Sequence, residues 1–381
     1  MTAAGLASYQ AALDELAGSS RLRSLAPRQG IDFTSNDYLG LAASPRLAGA
    51  LTAAIARGTP VGAGGSRLLR GNAPEHEALE ARAAAFFHAE RALFFCSGYV
   101  ANYALLSTLP QRGDLLILDA LVHASAREGA RAGRAEVTQV AHNDAEALEA
   151  TMRAWRDGGG RGRIWLAVES LYSMDGDRAP LDKLVAIVER YDAMLLVDEA
   201  HATGLYGPDG RGLAWGLEGR DNVIALHTCG KALGGAGALI SGPRVLCDFM
   251  LNRGRPFIYS TAPSPLMAVA ALEALEILRE EPERRERLAH LVSAAGRAAL
   301  ASGAATPTGS QILPVIVGDD RAALSLAAGL QRRGFDVRAV RPPTVPDGTA
   351  RLRISITLNV DEHDVEALFA ALAAERGMLA A

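Results

Sequence analysis

Along most of the 381-residue chain, apolar runs of five or six residues alternate with longer stretches in which apolar positions recur every three to four residues. Short runs flanked by polar turns predict buried strands, and three-to-four spacing predicts amphipathic helices. The predicted strands are Ala92–Cys96, Leu115–Asp119, Ile164–Glu169, Met194–Asp198, Val223–His227 and Gly237–Ser241. Several are apolar throughout instead of alternating, which suits strands covered on both faces, as in a mostly parallel sheet. Helices are predicted over Ala78–His88 and Leu181–Tyr191, the former after a Gly71-Asn72-Ala73-Pro74 turn whose proline suits a first helical position. The fold class is α/β, a mostly parallel sheet covered by helices, with right-handed crossovers.

The pattern changes toward the C-terminus. One long helix is predicted over Leu266–Ala301, including the charged run Arg279–Arg287, and beyond it Ile312–Val317 and Leu352–Thr357 read as strands with helices between and after. That order predicts a smaller C-terminal α+β domain. The expected division is an N-terminal segment at 1–50, a large domain at 51–285 and a small domain at 286–381. The N-terminal segment carries an amphipathic helix and the turn-rich Phe33–Gly40, and Gly158-Gly159-Gly160 reads as a loop tip.

Composition narrows the class of function. Apolar residues make up 49% and charged residues 22%, a globular balance that excludes disorder and fibrous folds. The 39 basic and 43 acidic residues, net charge -4, are spread along the length and leave no footprint for nucleic acid or anionic lipid. No window reaches the roughly 18 to 20 apolar residues of a membrane span, and the N-terminus has no basic stretch followed by an apolar one. Cys96, Cys229 and Cys247 lie far apart without a C-x-x-C pair, so neither a disulfide framework nor a metal site is expected. A small-molecule ligand and a cytoplasmic location are the expectations, with no nucleic-acid or membrane partner.

Several strand ends carry candidate chemistry. Met194-Leu-Leu-Val-Asp198-Glu-Ala-His201 delivers an acid and an imidazole at the carboxyl end of an apolar strand, where open α/β sheets bind ligands. D-E-A-H also occurs in helicases, but a phosphate-binding G-x-x-x-x-G-K-[ST] loop is lacking: Gly230-Lys231 is followed by alanine, with Ala225 where the first glycine belongs. A later strand leads into His227-Thr228-Cys229-Gly230-Lys231 and a glycine-rich turn. A lysine so placed suits ion pairing or amine chemistry, and buried lysines serve as Schiff-base nucleophiles and bases. Paired with Asp198 it suggests pyridoxal 5'-phosphate, which needs an amine for its aldehyde and an acid at its ring nitrogen. Cys96-Ser97-Gly98-Tyr99 supplies a helix start whose free N–H groups suit the phosphate. His123 follows another strand end, and Ser173 lies in Tyr172–Asp177; each alone suits a structural residue equally well. No glycine string satisfies the dinucleotide G-x-G-x-x-G in its strand-to-helix setting.

Together these residues resemble the fold-type I pyridoxal-phosphate enzymes, and within them the α-oxoamine synthases. The resemblance spans most of the chain through S-N-D-Y-L-G-L (35 to 41), G-A-G-G-S-R (62 to 67), G-N-A-P-E-H-E-A-L-E (71 to 80), C-S-G-Y-V-A-N (96 to 102), S-M-D-G-D (173 to 177), V-D-E-A-H-A-T-G (197 to 204), T-C-G-K-A-L-G (228 to 234) and I-Y-S-T-A-P (258 to 263). His227 and Cys229, flanking Thr228, depart from the small or apolar residues common there. The segment from Arg341-Pro-Pro-Thr344 to Arg353 resembles the members that condense L-alanine with a pimeloyl thioester, on coenzyme A or an acyl carrier protein, in biotin synthesis. Sister enzymes such as 2-amino-3-oxobutyrate CoA ligase, 5-aminolevulinate synthase and serine palmitoyltransferase share the other motifs. A plain aminotransferase, the different-class alternative, would share the lysine but release no carbon dioxide.

The resemblance implies that Lys231 is the aldimine lysine, that Asp198 pairs with the ring nitrogen, that His201 bonds the ring oxygen and that His123 stacks on the ring. It implies phosphate contacts from Ser97, Gly98, Tyr99 and Thr228, and from Ser260 or Thr261 of a second subunit in a homodimer, with Ser173 beside the cofactor. Substrate contacts would come from Arg23, Asn36, His123, Thr344 and Arg353, with Arg21 two residues from Arg23 as its alternative. In Ala350–Ser355 strand alternation sets Arg351 and Arg353 on one face, and by periodicity alone both suit a solvated surface. The resemblance favours Arg353 as the carboxylate anchor.

Overall fold

The computed structural model describes residues 3–380. They form two compact units, one of Asn36–Ser173 with Asp177–Glu286, the other of the residues up to Ser35, Met174–Gly176 and the chain from Arg287 onward. The expected 1–50 segment is therefore divided after Ser35. The reason is local: Ile31–Asp32 pairs in parallel with Phe335–Asp336, which ties the preceding residues to the C-terminal unit.

In the larger unit seven strands form one sheet in the spatial order Arg91–Phe95, Ala238–Gly242, Val223–Thr228, Met194–Asp198, Ile164–Glu169, Leu115–Asp119 and Glu136–Val140. All six predicted strands are present to within one residue at each end. Only Ala238–Gly242 runs antiparallel to its neighbours. Apolar cores lie on both faces: Trp165, Leu196 and Leu226 belong to one, and Ile164, Leu195 and Val197 to the other. Alternation sends successive side chains of a strand to opposite faces, so strands buried on both read as continuous apolar runs. Each fully buried aliphatic side chain contributes about 1.5 to 3 kcal/mol. Glu136–Val140 escapes sequence reading because it is an edge strand with mostly exposed, polar residues.

Helix boundaries follow proline. The first predicted helix starts earlier than its apolar spacing suggests, at Pro74, and ends at Phe86, with His88 in the left-handed region just beyond. The long helix expected over Leu266–Ala301 is two helices, Pro265–Glu280 and Glu283–Ala301. Pro282 has no N–H to continue the ladder and forces Glu281 out of helical conformation, at φ -122° and ψ 60°. Among the described residues no helix is long and apolar enough to cross a membrane.

The smaller unit holds an antiparallel three-stranded sheet in the order Ala339–Val340, Ala350–Ser355, Ile312–Gly318, with helices Asp320–Arg332 and Glu362–Ala380. Its central strand is buried at every position. The solvated face that alternation allowed for Arg351 and Arg353 is therefore corrected: they are 4% and 7% exposed. Arg351 is committed within this unit. Its Nη1 donates to Asp175 Oδ1 at 2.5 Å and to the Met174 carbonyl at 3.3 Å, and its Nε donates to the Thr349 carbonyl at 3.0 Å. This pairing, with Ser310 Oγ donating to the Gly176 carbonyl at 2.7 Å, explains why Met174–Gly176 belongs to the smaller unit.

Candidate active site

Parallel strands bring their carboxyl ends to one edge of the larger unit's sheet. Asp198 stands opposite Glu169 on one side and Leu226 on the other in strand register. A cavity of about 210 Å³ opens at this edge, lined by the predicted Gly98, Tyr99, His123, Asp198, His201, Thr228 and Lys231 together with Asn102, Ser125 and Glu169.

Lys231 is held by a turn that its glycines permit. The Cys229 N–H donates to the Gly237 carbonyl at 2.9 Å, and the N–H groups of Gly234 and Gly235 donate back to the Lys231 and Cys229 carbonyls at 2.9 and 2.8 Å. Gly234 has φ +65°, and a Cβ there would lie 2.4 Å from the Leu41 carbonyl carbon, so no other residue fits the turn unstrained. Lys231 Nζ lies 2.7 Å from His201 Nε2. With the ammonium donating, Nδ1 carries the imidazole proton, which points at Tyr38 Oη 2.7 Å away; Tyr38 in turn donates to Asn36 Oδ1 at 2.9 Å. Three buried or half-buried side chains thus stand in line behind the lysine.

Asp198 is fixed at both oxygens. Oδ1 accepts the Ala200 N–H at 2.9 Å and Oδ2 accepts from Asn102 Nδ2 at 2.6 Å. Its neighbour Glu169 is buried, with Oε2 accepting the Ser173 N–H at 3.0 Å and Oε1 without a partner. Burial, then the negative charge of Asp198, pushes Glu169 well above the usual carboxylate range against the opposing pull of Lys231. Glu199, pushed up to about 7 by burial, accepts the N–H groups of Leu213 and Ala214 at 2.9 and 2.7 Å. A Cβ at Gly212, φ +117°, would lie 1.9 Å from its Oε2. The 212–214 backbone is thus held close against Glu199, two residues before His201.

At the other end of the cavity, Ser97 caps the Gly98–Thr108 helix by accepting the Val100 N–H at 3.2 Å. A Cβ at Gly98 would lie 3.5 Å from Thr228 Oγ1, so the helix start and the hydroxyl face each other across a narrow gap. The free N–H groups of the helix start, at the positive end of the helix dipole, favour an anion there. The donor set suits pyridoxal phosphate: an amine, a strand-end carboxylate, two imidazoles and a capped helix start, with the orphaned Glu169 Oε1 as a further polar group.

The remaining predicted residues stand outside this cavity's lining. Ser173 is buried behind Glu169; Asn36 is reached through Tyr38; Ser260 and Thr261 follow the exposed Tyr259. Within the smaller unit Arg23 Nη2 donates to Thr344 Oγ1 at 3.3 Å, while Arg353 Nη1 donates to Ser355 Oγ at 2.7 Å. Arg21 pairs instead with Asp320 at 2.7 Å and Asp347 at 2.6 Å. His227 is a neutral structural residue: stacked on Phe87 at 3.6 Å, bonded to Thr203 and Ser241, and pushed down to about 3 by burial.

Residues 28–372 match the aminotransferase class I and II family. The 8-amino-7-oxononanoate synthase of Anaeromyxobacter dehalogenans is 43% identical over 377 residues, covering 95% of this chain and 93% of the relative. The chain belongs to the 8-amino-7-oxononanoate synthase family. The Chromobacterium violaceum synthase is likewise 43% identical, covering 90% of this chain and 88% of the relative. Among solved structures, a serine palmitoyltransferase from S. paucimobilis with a bound PLP–myriocin aldimine superimposes with a TM-score of 0.90 at 28% identity, over 99% of this chain and 98% of that one. The Francisella tularensis 8-amino-7-oxononanoate synthase gives 0.77 at 27% identity, over 92% and 99%. The expected fold-type I architecture and the assignment to a pyridoxal-phosphate-dependent acyltransferase family both stand.

Tyr38, Asn102, Ser125 and Glu169 were not assigned roles from sequence. Glu169 had a signal, since it closes an apolar strand as Asp198 does. Asn102 closes the C-S-G-Y-V-A-N run and Ser125 lies in a small-residue segment, but nothing in the sequence gives either a role of its own.

Proposed function

We propose that the chain catalyses the decarboxylative condensation of L-alanine with a pimeloyl thioester, carried on coenzyme A or an acyl carrier protein, giving 8-amino-7-oxononanoate, carbon dioxide and free thiol. The observation that carries this reading is the cavity that gathers Lys231, Asp198, His201 and His123 at one sheet edge. Bound pyridoxal phosphate supplies an electron-withdrawing ring over which negative charge at the alanine Cα is spread. Lys231 holds the cofactor and, as a free amine, takes the Cα proton. Asp198, its orientation fixed from both oxygens, keeps the ring nitrogen protonated. His201 would hydrogen-bond the ring oxygen, His123 would stack on the ring and polarise the thioester carbonyl, and Ser173 would sit beside the cofactor.

Ser97, Gly98, Tyr99 and Thr228 bind the phosphate from this subunit, and Ser260 or Thr261 from the second subunit of a homodimer. Arg353 holds the alanine carboxylate, with Arg23, Asn36 and Thr344 as further substrate contacts. The commitment of Arg351 to Asp175 supports choosing Arg353. A cytoplasmic setting accords with three free cysteines, two of them buried and pushed up to about 12 by burial.

The likeness to serine palmitoyltransferase favours one second reading, in which the amino acid is serine. Purified protein incubated with alanine, glycine or serine against a panel of acyl thioesters separates the readings by thiol and carbon dioxide release. Alanine with the pimeloyl thioester should be the fastest pair. Preference for serine and a long acyl chain would support the second reading, and amino-group exchange with a keto acid without gas release would make the chain an aminotransferase.

A further inference from the structure

Asn102 and Ser125 have no part in the chemistry above, yet both are buried at the edge of the cavity. Asn102 Nδ2 lies 2.6 Å from Asp198 Oδ2 and 3.2 Å from Ser125 Oγ. A carboxylate oxygen only accepts, so the atom facing Asp198 is the amide nitrogen, and its second hydrogen goes to Ser125. Ser125 Oγ then has one proton to give, and His123 Nδ1 lies 2.7 Å away. The backbone N–H of Ser125 points at the same nitrogen from 3.2 Å. With two donors converging on Nδ1, a neutral His123 carries its proton on Nε2.

The surroundings favour the neutral ring. His123 lines the cavity, and partial burial, reinforced by the positive charges of Lys231 and Arg127, lowers its pKa below the usual imidazole value against the opposing pull of Asp198. The titratable and charged groups around it are Asp198 and Glu169 at two strand ends, Lys231 in its glycine turn, Arg127 on its own helix, and Tyr99 and His201, which line the same cavity.

We propose that Asn102 and Ser125 are positioning residues that tie the Asp198 carboxylate to His123 and fix His123 as its Nε2–H tautomer, so that the ring presents a hydrogen-bond donor to the cavity. The inference rests on the proposed function only for what that donor serves, the carbonyl oxygen of the incoming thioester. The tautomer and the Asp198 contact are properties of the chain itself.

The test is ¹⁵N NMR of cofactor-free protein labelled at histidine, with His123→Gln assigning the signal. The expected result is a neutral ring with its proton on Nε2 and none on Nδ1, taking up a second proton only below the ordinary imidazole range. An Nδ1–H tautomer, or a ring that titrates at the ordinary value near 6.5, overturns the proposal. Ser125→Ala, which removes one of the two donors at Nδ1, should move His123 protonation to higher pH, and Ser125→Thr, which keeps the hydroxyl, should restore it. Asn102→Leu should raise the dissociation constant of pyridoxal phosphate about tenfold or more, because Asp198 Oδ2 loses a charge-assisted donor. Unchanged cofactor affinity in Asn102→Leu and an unchanged His123 titration in Ser125→Ala also overturn it; should either variant not fold, the wild-type spectrum decides. If alanine and a pimeloyl thioester fail to react while the tautomer is as stated, the proposed function falls and this inference stands.

Discussion

In the seven-stranded sheet the ionisable groups stand at strand ends, Glu169 and Asp198 each closing an otherwise apolar run, whereas the three-stranded sheet carries Arg351 and Arg353 in the middle of a strand buried from end to end. The difference follows from what covers each strand. A parallel strand with apolar cores on both faces has nowhere to put a charge except its terminus, and the termini of neighbouring parallel strands share an edge, so charges become neighbours. A mid-strand guanidinium has no such edge and must find partners inside its own unit, as Arg351 does at Asp175. Strand-end charges should therefore govern chemistry, and mid-strand charges should divide between stability and anchoring.

Four substitutions can break that division. Lys231→Ala should abolish turnover while the protein still binds pyridoxal phosphate, measured by thiol release and by cofactor absorbance. Asp198→Asn should lose about a hundredfold or more in turnover, since it removes the group that keeps the ring nitrogen protonated; near-normal Cα-proton exchange of alanine in this variant would rule the role out. Arg353→Lys should raise the alanine KM about ten- to a hundredfold, the equivalent of roughly 1.5 to 3 kcal/mol for a charge-assisted pair. Arg351→Leu should instead lower stability by about 2 to 4 kcal/mol in urea unfolding, less than the loss of a fully buried pair because Asp175 is part exposed, with a smaller change in KM. Reversed effects would mean that the mid-strand arginines have been assigned the wrong way round.

The smallest effect concerns a third strand end. His142 is bracketed by Asp119 at 2.9 Å and Asp177 at 2.8 Å. Burial alone would lower its pKa, but the two carboxylates outweigh it and push it up to about 10. A folded-state value raised above the usual 6.5 or so means that the stabilisation is fully present below that pH and fades as pH rises through about 10. The stability advantage of the native chain over His142→Gln should therefore be constant in mild acid and shrink through the alkaline range. A gap that stays constant to about pH 10 would show that the imidazolium pairs do not hold.

Much of this was legible in the sequence because burial on both faces writes itself as an apolar run and a ligand turn as clustered glycine. Lys231, Asp198 and His201 could be read from those two signals. The burial of Arg351 could not, since its partner Asp175 lies 176 positions earlier and nothing local distinguishes a paired guanidinium from a solvated one. Pro282 was visible, but the charged run around it masked the helix break. Asn102 and Ser125 matter only through distances that the fold creates, 2.6 Å to Asp198 and 2.7 Å to His123, and their residue types are commonplace.

The central claim is that the cavity amine carries the cofactor, and the composition makes its test unusually clean: the chain has two lysines, Lys183 and Lys231. Lys183 lies exposed on a helix surface, away from the cavity lining. Borohydride reduction of protein loaded with pyridoxal phosphate, followed by peptide mapping, should place the pyridoxyl label on the peptide containing Lys231 and leave Lys183 unmodified at stoichiometric cofactor. Label on Lys183, or none on either, would contradict the account.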